Sequence, residues 1–113
     1  MIGSRGQEAV AWTIILRYKS GRFADTFYGI VSAPKQYDGY YRIVGSDRQN
    51  IDQIGWDYAY VLAHYVVSGQ YSRIELPNGF TPGHVAFYAY SGSANDLNDG
   101  EYLIGGNLFY VPS

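Results

Sequence analysis

Apolar positions along the chain change their period once, about two-thirds of the way along it. In the first half, Ala11, Ile14, Ile15 and Tyr18 recur at i, i+3, i+4 and i+7, the spacing of one helical face. Val10 and Trp12 widen that stripe, so this helix is expected at the centre of the fold rather than its rim. It is expected to start at Ser4 or Gly6, with Ser4 as N-cap. Glu8 then falls in the opening turn, where a carboxylate suits the positive end of the helix dipole. Gly21 is suited to the left-handed cap that ends it. Asp25 is expected to cap a short helix over 26–31, which Ala33-Pro34 breaks. A second long helix is expected over 50–68, capped by Asn50 and stopped by Gly69. Its buried face is Ile51, Ile54, Tyr58, Val61, Leu62, Tyr65 and Val66. Between them, residues 34–50 show no strong period and concentrate Tyr37, Tyr40 and Tyr41.

After the turn signal Leu76-Pro77-Asn78-Gly79, the spacing no longer suits a helix. Residues 85–90 read as a strand and 91–100 as a polar loop. Residues 101–104 and 107–111 read as two short strands around a tight turn at Gly105-Gly106. The expected class is therefore α+β: two long helices and a short one, then a small antiparallel sheet. With 113 residues, the chain is expected to form a single domain over 1–113.

Composition narrows the functions. Eight basic and ten acidic residues leave a net charge of −2, with no run of like charge. Duplex nucleic acid demands a basic surface that displaces counterions, so it is not an expected partner. Cysteine is absent, which removes disulfides and thiolate metal sites. The two histidines lack a metal-ligand spacing, and Asp47, Asp52 and Asp57 suit caps and solvent. No metal or cofactor is expected. No stretch approaches the ~18 apolar residues of a membrane span, and no signal-peptide profile opens the chain, so a cytoplasmic location is expected. Thirteen tyrosines are the unusual feature. Tyrosine pairs an apolar face with a polar tip and serves core edges and wet clefts alike.

The stretch Gly6-Gln7-Glu8-Ala9-Val10-Ala11, with Arg17, resembles the signature helix of the cell-wall hydrolase family that includes the spore-cortex-lytic enzymes. Ser20 to Phe23, Asp25-Thr26 and Gly29-Ile30-Val31 resemble its next segment. Ala33-Pro34-Lys35-Gln36-Tyr37 looks like its Gln-aromatic turn, and Ile104-Gly105-Gly106 with Phe109-Tyr110 resembles its terminal hairpin. The resemblance implies a lysozyme-like fold and cleavage of the peptidoglycan glycan strand by one glutamic acid. In the family that acid precedes the Gly-Gln pair. Here five residues precede Gly6 and none is glutamate.

Glu8 is the one glutamate on this helix, and one turn from Trp12 it is the only candidate for a relocated acid. The expected function is therefore a non-catalytic relative that binds or sequesters a small polar ligand, nucleotide-like or a glycan fragment. A phage or mobile-element protein that captures a metabolite fits this profile. The alternative is an active glycosidase or lytic transglycosylase using Glu8 or a site completed by another chain. A purely structural subunit is a third reading. The resemblance implies Gln36, Tyr37, Asn107 and Tyr110 as cleft residues. Chemistry and position add Tyr40 and Tyr88, with Arg17 or Arg42 as anion partners. A homo-oligomer is expected if the central helix lacks a covering neighbour.

Overall fold

The computed structural model describes residues 2–33, 37 and 53–113, and side chains from Arg5 to Ala33, of Tyr37 and from Tyr58 onward. Three α-helices, α1 (Ile2–Ser20), α2 (Phe27–Val31) and α3 (Gln53–Val67), precede three strands, β1 (Ala86–Ala89), β2 (Tyr102–Ile104) and β3 (Asn107–Tyr110). The strands form one antiparallel sheet in the order β1-β3-β2. The protein is thus a small mixed α+β domain, as the change of period predicts.

α1 is central. Ala9, Ala11, Trp12, Thr13, Ile15, Leu16 and Arg17 are all buried, and they point around most of its circumference. α3 packs against it through Leu62 and Val66, while Ile74 and Val85 close the same core. α1 is therefore covered within the chain, and the premise for an oligomer built on this helix falls away. The most exposed large apolar side chains lie elsewhere, among them Tyr60 and Val67 of α3 at 72% and 70%.

Four details differ from the expected elements. α1 begins at Ile2, so Glu8 sits beyond the first turn and the dipole role does not apply to it. Tyr18 is exposed at the last turn, where Phe27 of α2 stacks on its ring at 4.3 Å. Thr26, not Asp25, caps α2: its hydroxyl accepts the Gly29 N–H at 3.0 Å. Val61 is exposed because the α3 contact centres on Leu62 and Val66, and the preceding position falls off the edge of that stripe. The proposed Asn50 cap and the tyrosine-rich stretch, apart from Tyr37, lie outside the described residues.

The β2–β3 hairpin turns on Gly105 and Gly106, whose φ angles of 58° and 82° are those of a two-residue type I′ turn. Register then sorts the side chains. Phe87, Phe109 and Tyr102 stand opposite one another on one face, and Tyr88, Leu108 and Leu103 on the other. On the first face, Phe87 and Phe109 stack at 5.3 Å and Phe80 joins Phe109 at 5.6 Å. The hairpin turn rests on α1. A Cβ built on Gly105 would lie 2.9 Å from the Gly6 Cα and one built on Gly6 3.2 Å from the Gly105 Cα, so helix and turn leave little room for a side chain at either position. Gly in a helix interior costs about 1 kcal/mol relative to Ala. At Gly6 that cost permits helix and turn to touch, and this contact positions the groove described next.

Candidate functional site

Where the first half of α1 meets the hairpin, a groove of about 250 Å³ opens. α1 supplies Arg5 and Glu8, the segment after α3 supplies Glu75, Leu76, Pro77 and Asn78, and β2 supplies Ile104. One Glu8 oxygen, Oε2, accepts the Glu75 backbone N–H at 3.3 Å and ties helix to segment. The Glu8 side chain makes no other hydrogen bond or ion pair among the described residues, and the Arg5, Glu75 and Asn78 side chains make none. Four polar side chains thus converge on one groove with little to hold them to one another.

The surroundings of Glu8 differ from the expected acid site. Trp12, expected to cover the carboxyl, turns into the core. Its indole N–H donates to the Ile74 carbonyl at 3.0 Å and its ring meets Tyr71 edge-on. Glu8 instead has a backbone N–H donor and polar neighbours in an open groove. A general acid needs apolar, dry enclosure that holds its proton.

Farther along α1, Arg17 and Tyr37 come together inside the protein. Arg17 is 5% exposed, donates from Nε to the Val85 carbonyl at 2.6 Å, and lies over the Phe23 and Tyr37 rings at 4.7 and 5.2 Å. Thr13 gives its hydroxyl proton to the Val10 carbonyl at 2.7 Å. The 2.9 Å contact between Thr13 Oγ1 and the Tyr37 hydroxyl is therefore donated by Tyr37. Burial pushes the Tyr37 phenol above its ordinary value of 10.0, against the lowering effect of the Arg17 charge. Both side chains brace α1 against the sheet and neither lines the groove.

The remaining expected site residues separate. Tyr88 and Tyr110 share the other sheet face, with ring centroids 5.6 Å apart and Tyr88 48% exposed. Asn107 points to the opposite face, directly across from Ile104, which places it beside the groove. Gln36, Tyr40 and Arg42 lie outside the described residues. Of the expected residues that are described, Glu8 alone lines the groove. Arg5, Glu75 and Asn78 were missed. Asn78 belongs to the turn signal over 76–79, and no local pattern links it or Glu75 to α1.

His84, at the entrance to β1, is buried. Its Nδ1 accepts the Thr81 N–H at 2.9 Å and its Nε2–H donates to the Gly100 carbonyl at 2.7 Å. A backbone N–H can only donate, so the ring is the neutral Nε2–H tautomer. Stacked on Phe80 at 4.9 Å, it fastens the 80–84 turn to the loop before β2. His64 is exposed on α3. Among the described residues, no three His, Cys, Asp or Glu side chains gather as a metal site, and no helix is long and apolar enough to cross a membrane.

Comparison with known proteins gives no significant match to any family model, curated protein or solved structure.

Proposed function

We propose that the chain is a lysozyme-like, cell-wall-hydrolase-related domain that binds a small polar ligand in the Glu8 groove without cutting it. The observation that carries this reading is the convergence of Arg5, Glu8, Glu75 and Asn78 on one cavity while they remain almost free of internal partners. Polar groups aimed at a concave site and left unengaged are the recognition elements of a ligand pocket.

Size and charge refine the ligand. A volume of about 250 Å³ falls below the roughly 300–1,000 Å³ of pockets for drug-sized molecules. It suits one sugar ring or a fragment of that size. An enzyme that cuts within a glycan strand holds rings on both sides of the scissile bond and needs more room. Two carboxylates against one guanidinium also disfavour a phosphate, so a glycan fragment fits better than a nucleotide-like ligand.

The second reading, an active peptidoglycan-cleaving enzyme with Glu8 as acid, draws on two carboxylate residues lining one groove, the composition of a glycosidase site. Incubation with purified peptidoglycan separates the two. The binding reading expects retained muropeptide fragments and no release of new ones. Release that disappears in a folded Glu8→Gln variant would establish the enzyme instead.

A further inference from the structure

We propose that the preferred occupant of this groove is a zwitterion: a free α-amino acid, with its ammonium and carboxylate on one carbon and an apolar side chain. The inference rests on the groove being a ligand site and names the chemistry of that ligand.

The charges on the wall come in both signs, and they are not joined. Arg5 makes no ion pair with Glu8 or Glu75, although all three line the same 250 Å³. Glu8 is held at one oxygen by the Glu75 N–H, which fixes the carboxylate and leaves its second oxygen open to a donor. A neutral sugar would satisfy the carboxylates and leave the guanidinium without a counter-charge. A phosphate would satisfy Arg5 and face two carboxylates. An ammonium beside Glu8 and Glu75, with a carboxylate turned toward Arg5, answers both signs at once. Charge-assisted hydrogen bonds of this kind are the strong ones, and guanidinium matches carboxylate in a two-pronged geometry. The Asn78 amide adds a donor and an acceptor for the same polar end.

The rest of the wall is apolar. Leu76, 46% exposed, stands with Pro77 and Ile104 around the same cavity. These side chains offer a small apolar edge and give a second peptide unit no further polar partner. A single amino acid, with leucine as the probe, is therefore the expected occupant.

The test is titration calorimetry with DL-leucine, leucinamide, N-acetyl-leucine and chitobiose. Leucine is expected to bind at least tenfold more tightly than either blocked form, because each blocked form lacks one charge. Two exchanges, Arg5→Gln and Glu75→Gln, lie at exposed positions and are expected to leave the fold intact. Arg5→Gln is expected to weaken leucine about tenfold and leave leucinamide unchanged. Glu75→Gln is expected to weaken leucinamide and leave N-acetyl-leucine unchanged. That opposite pattern cannot come from loss of folding. Binding of chitobiose without leucine would overturn the zwitterion and keep the groove as a ligand site. Equal binding of leucine and its blocked forms would also overturn it. No binding of any of the four, with a folded protein, would remove both.

Discussion

The two halves of α1 carry the same kinds of side chain and treat them in opposite ways. Toward its C-terminus, Thr13 and Arg17 are buried, and each has its partners: Val10 and Tyr37 for Thr13, Val85 with the Phe23 and Tyr37 rings for Arg17. Toward its N-terminus, Arg5 and Glu8 face a groove, where only one Glu8 oxygen is engaged. A polar group left without a partner in a dry interior costs roughly 1–3 kcal/mol, so the interior half must be complete. The groove half faces water and bears no such cost, which leaves its groups free for a ligand. Polarity alone does not mark a functional residue on this helix; the presence or absence of internal partners does.

Substitutions at the two ends of α1 should therefore part cleanly between stability and binding. Trp12→Ala is expected to have the largest effect, a loss of about 3–5 kcal/mol in chemical unfolding, because it empties core volume and removes the donor to the Ile74 carbonyl. Arg17→Met keeps most of the side chain's length but leaves the Val85 carbonyl unpaired. A loss of about 2–3 kcal/mol is expected, with groove binding retained in the folded fraction. Gly105→Ala strains a left-handed position and drives a methyl toward Gly6. It is expected to cost about 1–3 kcal/mol and, unlike the first two, to disturb binding as well, because the groove depends on that contact.

Tyr37→Phe is expected to cost about 1 kcal/mol at neutral pH. Its signature is the pH profile. Because burial raises the Tyr37 phenol above 10.0, its contribution is whole below that value and is lost as pH rises through the folded-state value. Wild type should lose stability in that alkaline range more steeply than the Phe variant. Tyr71, raised by burial and then by Tyr18, supplies part of the slope that remains. Glu8→Gln is expected to change stability least, within about 0.5 kcal/mol, as an amide oxygen still accepts the Glu75 N–H.

Much of the fold was legible because its signals are local. The period of Ala11, Ile14 and Ile15, the stop at Gly21 and the Gly105-Gly106 turn each require only neighbouring residues, and each appears where expected. Burial of a polar side chain is not local. Arg17 and Tyr37 looked like ligand groups in sequence because nothing nearby reveals that Val85 and Thr13 will satisfy them. The groove escaped for the same reason. It exists because Gly6 and Gly105 touch across nearly the whole chain, bringing Ile104 to Arg5 and Glu8. Glu8 was singled out by its place on the helix, yet its partner, the Glu75 N–H, has no side-chain signature at all.

The most direct test of the unengaged groove is an amide NMR titration, with leucine first and a muropeptide digest second. The account predicts shifts at Arg5, Glu8, Glu75 and Asn78, abolished by Glu8→Gln, with Thr13 and Arg17 unmoved. Shifts confined to Tyr88 and Tyr110 on the far sheet face, or none at all, would contradict it.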